Sequence, residues 1–276
     1  MGKKKCTMEK ITFWIGNGFD VNVGLHTRYQ DFYDYYTPKH TDDLIADAIA
    51  VDKLTDGNNW SDLEIALGNF TEEVEKRWEN ADGFWKSLQT MQSELILYLK
   101  NEAAKVTLTG ERKRKIALEM RRSLVTFYQA FPERDSQVIG SRIRSMKGEV
   151  EHSFISLNYT DVFDRCCRVT QEILSRKFGE HLCDDETKCP HVFDKRGVFH
   201  LHGTLDSEMI LGVNDSSQIK GESFRKNELD RQSLVKPEMN RRYGNQKEAI
   251  ARQLINDSSV ICTFGVSIGE TDKMWW

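Results

Sequence analysis

Short apolar runs near both ends of the chain flank a long middle region with helical periodicity. The runs Ile11–Ile15, Ser153–Leu157, Val198–Leu201, Met209–Val213 and Val260–Phe264 are followed by glycine or polar residues. A continuous apolar run bounded in this way is typical of a buried strand that leaves a sheet through a tight turn. The sequence therefore predicts five strands.

Between the first two runs, apolar residues recur every three or four positions from about residue 27 to residue 150. This period predicts packed amphipathic helices. Ser61 and Glu64 fit a capping box at the start of one of them. Another helix is expected from about residue 158 to Lys177.

These elements predict an α/β protein with a mainly parallel, Rossmann-like sheet and a large helical insertion between strands one and two. Residues 1–26 and 150–276 would form the sheet core, and residues 27–149 the insertion. The chain stops at Trp276, shortly after a strand and turn, and we expect the natural protein to continue beyond it.

Composition narrows the class of protein. The 276 residues are 39% apolar and 30% charged, which is typical of a globular protein. No window approaches the roughly 20 apolar residues of a membrane span, and no apolar run follows Lys3–Lys5 to make a secretory signal. Six cysteines without such a signal favour reduced thiols in the cytoplasm.

Charge argues against a protein that binds nucleic acid through its bulk charge, because the formal net charge is -4. One segment, Arg112–Arg122, is nevertheless strongly basic. A solvated helix face is the plain interpretation, and a phosphate-rich partner is the alternative.

Polar residues follow most of the predicted strands, and in an open α/β sheet this edge is where ligands bind. Gly16, Asn17 and Gly18 follow the first strand. Glycines there could let the backbone approach a pyrophosphate, although a simple tight turn explains them equally well, since the full dinucleotide spacing is absent.

Asn158 and His202 are the candidates for chemistry. Asn158 follows the second strand and could hold a water or a ribose hydroxyl, or form an ordinary turn. His202 ends His200-Leu201-His202-Gly203, where one imidazole could act as a base and the other could pack.

Zinc is not expected. Cys183 and Cys189, with His181 and His191 beside them, lack the ligand spacing of a zinc site and favour a polar surface loop. Metalloprotease, serine-hydrolase, deaminase and P-loop motifs are absent from the sequence.

Taken together, the motifs resemble the AbiH family of bacterial abortive-infection proteins, which are associated with phage defence. The motifs, in chain order, are Ile15-Gly16-Asn17-Gly18-Phe19-Asp20, Trp60-Ser61-Asp62-Leu63-Glu64, Leu157-Asn158-Tyr159-Thr160, His200-Leu201-His202-Gly203 and Phe264-Gly265-Val266-Ser267-Ile268 to Asp272. The resemblance spans residues 11–272.

The same order is similar to a remote sirtuin-type NAD-binding fold. That resemblance implies Asn158 and His202 as catalytic residues, with His202 as general base. It implies a cofactor-binding set of Gly16, Asn17, Gly18, Asp20, Thr160, Asp161, Gly265, Ser267 and Asp272. Gly16 and Gly18 would hold the phosphates, and Gly265 and Ser267 the adenine ribose. The sirtuin turn has alanine in place of Asn17, and its paired zinc cysteines are missing here, which favours NAD hydrolysis over lysine deacylation.

The function expected from this resemblance is an antiviral effector that hydrolyses NAD at the nicotinamide–ribose bond, with NAD as substrate and no metal. It would act in the cytoplasm, possess no membrane or nucleic-acid partner, form a homo-oligomer and answer a phage-derived trigger. Two alternatives remain: a non-catalytic sensor that binds NAD or a related nucleotide, and a defence component that binds nucleic acid through Arg112–Arg122.

Overall fold

The computed structural model describes residues 9–55, 63–77, 82–146, 149–178, 182–183, 190–244 and 246–267. In these residues the strands are β1 (Glu9–Ile15), β2 (Val150–Ser156), β3 (Leu182–Cys183), β4 (Pro190–His200) and β5 (Val260–Phe264). The helices before β2 are α1 (Gly18–Asn22), α2 (Tyr29–Tyr36), α3 (Leu44–Thr55), α4 (Leu63–Arg77), α5 (Asp82–Ala104), α6 (Gly110–Val125) and α7 (Glu133–Ser145). Those after β2 are α8 (Val162–Phe178), α9 (Glu222–Lys226), α10 (Glu228–Leu234), α11 (Lys236–Arg242) and α12 (Lys247–Asn256).

The five strands form one sheet in the order β3-β4-β2-β1-β5. β1 pairs in parallel with both β2 and β5, and β2 pairs in parallel with β4. Among the described strands, the two-residue β3 alone is antiparallel to its neighbour. The chain is thus an α/β protein with a mainly parallel sheet, and the described helices α1–α7 separate its first two parallel strands, as the sequence predicts.

Alternation along β1 explains how the sheet is covered. Ile11, Phe13 and Ile15 face α6 and α8, where they join an apolar cluster that includes Phe163 and Met120. Trp14 points to the opposite face and packs against Leu254 of α12. Because successive side chains of a strand point to opposite faces, one apolar strand serves two layers of helices.

The helices between β1 and β2 divide between two cores. α2 to α5 build a separate apolar cluster with residues that follow β4, among them Leu211, Val213 and Leu234. α6 instead contributes Met120 and Leu124 to the sheet cluster. The domain boundaries at residues 26 and 150 stay a prediction, but the insertion is not packed as a single unit.

One predicted strand is wrong. Ile210, Leu211 and Val213 are buried, yet residues 209–213 form no strand and make only an isolated bridge between Val213 and Val235. The run packs into the helical cluster instead of joining the sheet. An apolar run indicates that the segment is buried, but a loop in the core is buried just as a strand is. The pattern alone therefore could not distinguish the two.

Candidate functional site

Polar residues lie at the carboxyl ends of three strands, at the same edge of the sheet. Asp20 lies in α1 just after β1, Asn158 and Thr160 follow β2, and His200 ends β4. These strands are parallel neighbours, so their carboxyl ends meet at one edge. In open α/β sheets, ligands bind in a crevice at this edge.

Asp20 is a buried carboxylate with an altered acidity. Its side chain is 1% exposed, and its Oδ2 accepts a hydrogen bond from the Thr160 hydroxyl at 2.6 Å. Burial raises the pKa of Asp20 from 3.8 to about 6, and the Thr160 hydroxyl and the Asn158 amide only partly oppose this. A carboxyl group with this pKa can exchange a proton near neutral pH.

Asn158 faces Asp20 from the end of β2. Its backbone amide donates to the Ser156 hydroxyl at 3.1 Å, which fixes the turn. Within the described part of the chain, neither Asn158 Nδ2 nor Asp20 Oδ1 makes a hydrogen bond of normal geometry, although both atoms are buried. The Asn158 side chain does interact with the Asp20 carboxylate and lowers its pKa, so a polar ligand atom would bind between two groups that already attract each other.

His200 supports the Asn158 turn from β4. Its Nδ1 lies 2.9 Å from the Asn158 carbonyl oxygen, and its Nε2 lies 3.1 Å from Oδ2 of Asp164. Burial alone lowers the pKa of His200, but the Asp164 hydrogen bond and charge outweigh it and raise this pKa above its ordinary value.

The predicted base, His202, is buried in the turn after β4, and its carbonyl oxygen accepts from the Ile210 amide at 2.8 Å. Of the two imidazoles in this motif, His200 makes the direct contact with Asn158. The role of His202 as a base stays a prediction.

The glycine turn after β1 lies against the turn after β5. The amides of Gly16 and Gly18 donate to the carbonyl oxygens of Phe264 and Gly265, each at 2.9 Å. A Cβ on Gly18 would lie 2.5 Å from the Gly265 Cα, which real structures do not tolerate. Backbone contact therefore accounts for these glycines, and both amides already have acceptors. Their role in holding phosphates stays a prediction.

The other predicted ligand residues are dispersed. Asn17 exchanges two side-chain hydrogen bonds with Thr27, and Asp161 is exposed and pairs with Arg165 at 3.1 Å. Ser267 is exposed at the end of the described chain. Asp272, Trp60, Ser61 and Asp62 lie outside the described residues.

A buried ion pair adjoins the site and was not predicted. Glu64 Oε2 of α4 lies 2.5 Å from Lys236 Nζ of α11, with side chains only 7% and 4% exposed. The Tyr159 hydroxyl lies 3.5 Å from Glu64 Oε1 and donates to the Ile210 carbonyl oxygen at 2.9 Å. The sequence pattern predicts only a helix-capping role for Glu64. Nothing local in the sequence marks Lys236 as its partner.

The basic segment lies on α6, where Lys113 pairs with Glu172 at 2.7 Å and Arg122 with Glu119 at 3.2 Å. These ion pairs favour a solvated helix face. Arg122 also borders an open, largely apolar groove of about 1030 Å³ between β5, α6 and α7. Asp20, Asn158 and His200 do not line this groove, which is therefore distinct from the site.

His191 corrects one expectation, because it is no part of a polar surface loop. It is fully buried in β4, and its Nδ1 lies 2.7 Å from Nε2 of His152.

Cys189 and His181 lie outside the described residues. Among the described residues, no three His, Cys, Asp or Glu side chains are grouped as metal ligands would be, and no helix has the length and apolar character to cross a membrane.

Comparison with known proteins identifies the family. Searches of curated proteins and of solved structures give no significant match. The family model described as bacteriophage abortive infection AbiH matches residues 12–276, nearly the whole chain, including both the sheet and the helices inserted into it. The chain therefore belongs to the AbiH family of abortive-infection proteins.

Proposed function

We propose that this protein serves abortive infection by hydrolysing NAD at the bond between nicotinamide and ribose. The observation that carries the proposal is the pairing of Asp20 with Asn158 at the carboxyl ends of β1 and β2. Both side chains are buried, and each leaves one polar atom without a hydrogen bond of normal geometry in the described structure.

In this proposal, Asn158 Nδ2 donates to the attacking water or to a ribose hydroxyl and so fixes its position. Asp20 Oδ1 accepts the proton that the water loses, which suits a carboxyl group whose pKa is raised to about 6. The water oxygen bonds to the ribose carbon as the carbon–nitrogen bond breaks. The electron pair of the carbon–nitrogen bond leaves with nicotinamide, which departs as a neutral molecule. The other product is ADP-ribose.

The transition state of this reaction resembles an oxocarbenium ion, so negative charge and oriented dipoles nearby lower its energy. An ionised Asp20 supplies such a charge. The sequence-based assignment of the base to His202 is a competing version of the same proposal, and the same experiment separates the two.

The test measures nicotinamide released from NAD by the purified protein, beside Asp20→Asn, Asn158→Ala and His202→Ala. Asn22→Ala is the matched control, because Asn22 is an exposed amide on the same short helix as Asp20. We expect turnover by the wild type and by Asn22→Ala, and at least about a hundredfold loss in Asp20→Asn and Asn158→Ala. An unchanged rate in His202→Ala with loss in Asp20→Asn assigns the base to Asp20.

A parallel measurement follows NAD levels in phage-infected cells that carry the same variants, since a trigger absent from the purified system would be present there. NAD that stays constant during infection would contradict hydrolysis. If the purified protein then still bound NAD in calorimetry, the result would favour the sensor; without binding, neither NAD hypothesis would stand.

A further inference from the structure

His200 contacts two groups that can only accept hydrogen bonds. One is the backbone carbonyl of Asn158, 2.9 Å from Nδ1, and the other is the carboxylate of Asp164, 3.1 Å from Nε2. A neutral imidazole has one N–H and would leave its second nitrogen facing an oxygen lone pair. An imidazolium has two N–H groups and satisfies both oxygens.

From this geometry we infer that His200 is an imidazolium at neutral pH and that it is a positioning residue, which holds the Asn158 carbonyl in place through a charge-assisted hydrogen bond. The inference concerns the site that carries the proposed function, but it does not depend on NAD being the substrate. It also excludes His200 as the general base, since a group with both nitrogens protonated and bonded has no free lone pair.

The charges around His200 are consistent with this state. Its side chain is 9% exposed, and Asp164 of α8 and Asp161 of the preceding turn are the carboxylates that favour its charged form. Arg165 is directed away, to the carbonyl oxygens of Ala103 and Val106 and to Asp161. Cys167, also on α8, is buried, and burial raises its thiol pKa so that it stays neutral.

The consequence for the site is that α8 and β4 together fix the Asn158 turn. The carboxylate of Asp164 orients the imidazolium, and the imidazolium orients the peptide group between Asn158 and Tyr159. That peptide group precedes Thr160, which binds Asp20. Deprotonating His200 would release one end of this chain of contacts.

The test is NMR of the full protein with uniform ¹⁵N labelling, which reports the protonation of each histidine ring nitrogen and the shifts of the backbone amides. We expect both His200 nitrogens to be protonated at pH 7, and the ring to titrate above the ordinary pH range of histidine. The backbone amide ¹⁵N of Tyr159 should shift with the same midpoint, because its peptide carbonyl accepts from the ring.

Asp164→Asn should lower the midpoint of His200 by about one pH unit or more, since it removes the adjacent charge. Asp161→Asn is the control on an exposed carboxylate without a bond to the ring, and it should shift the midpoint much less. His200→Gln confirms the assignment by removing the titrating signals of the ring and of the Tyr159 amide together.

A His200 ring with only one protonated nitrogen at pH 7 would overturn the inference. This holds both if the second proton is on the Asp164 carboxylate and if it has been lost to solvent. A Tyr159 amide that does not follow the ring would overturn it as well. If Asp164→Asn failed to fold, the wild-type ring signals and the Asp161→Asn control would still decide the matter. Because no readout requires turnover, absence of NAD hydrolysis would leave this result intact.

Discussion

Glu64 and Lys236 form a buried ion pair, with 2.5 Å between Oε2 and Nζ, although they lie 172 positions apart in the chain. The pair joins α4, which precedes β2, to α11, which follows β4. The Tyr159 hydroxyl beside Glu64 links it to the turn that carries Asn158. The pair thus ties α4 to α11 beside the helical cluster, next to the candidate site.

Removing one charge of this pair should be costly, since the remaining charge stays buried and unpaired. We expect Glu64→Gln or Lys236→Met to lower the free energy of unfolding by about 3–5 kcal/mol in urea titrations. The double variant Glu64→Met with Lys236→Met should lose less free energy of unfolding than either single variant. If the loss in the double variant equalled the sum of the two single losses, the two charges would not interact.

The exposed pair between Glu222 and Lys226, at the same 2.5 Å separation, is the control. Glu222→Gln should have no measurable effect on unfolding, because solvent screens an exposed pair.

The contact between the turns after β1 and β5 predicts a sharp difference between two glycines. Gly265 and Gly244 have nearly the same left-handed φ, 65° and 67°, but an added Cβ on Gly265 would lie 2.6 Å from the Gly18 Cα, whereas one on Gly244 would meet no described atom within 4 Å. Gly244→Ala should cost roughly 1–2 kcal/mol for the strained φ alone. Gly265→Ala should cost clearly more in the same unfolding titration, and equal losses would contradict the packing argument.

Asp20→Asn should stabilise the protein while it abolishes the proposed activity. The folded pKa of about 6 exceeds the reference value of 3.8, so the folded state binds the extra proton between these values. Wild-type stability from this group is therefore present near pH 4 and is lost as the pH rises through 6. The variant should gain up to about 3 kcal/mol above pH 6 and little at pH 4.

Urea unfolding of both proteins at pH 4, 5, 6 and 7.5 checks this prediction. Asp161→Asn serves as the control for a nearby exposed carboxylate. A variant that is less stable than the wild type at pH 7.5 would mean that Asp20 is stabilised in its charged form by contacts beyond Thr160 and Asn158.

The His152–His191 contact predicts an opposite dependence on pH. Burial, and then the charge of His191, hold the pKa of His152 well below 6.5. The unfolded chain therefore binds a proton below pH 6.5 that the folded protein does not, and this contribution to stability is lost as the pH falls. His152→Gln should flatten the decline in unfolding free energy between pH 7 and 5. An unchanged slope would show that His152 does not cause it.

The sequence predicts much of the sheet because buried strands of a parallel sheet are continuous apolar runs. β5 has the predicted bounds, Val260–Phe264, and β2 differs by only a few residues. The run at 209–213 fails because Leu211 and Val213 are buried by the helical cluster rather than by a neighbouring strand. Apolar character alone does not distinguish these cases.

Within the site, Asn158 could be chosen because it follows an apolar strand, whereas Asp20 entered only through the family resemblance, as a cofactor-binding residue. The contacts of His200 with Asn158 and Asp164 depend on where α8 packs, which no local pattern gives. The Glu64–Lys236 pair was equally inaccessible, since its partners are distant in sequence and brought together by packing. Local sequence patterns thus locate the edge of the sheet that carries the candidate site, but they do not predict which side chains contact one another there.

The parallel pairing of β1 also has a consequence for how the chain acquires its fold. Residue 9 pairs with residue 150, and residue 11 with residue 260, so neither neighbour of β1 exists until more than half of the 276 residues have been synthesised. Pairings this distant are slow, because a large loop must close before any contact forms. During translation the apolar strand Ile11–Ile15 remains unpaired and exposed. We therefore expect nascent or newly released chains to aggregate unless a chaperone binds them.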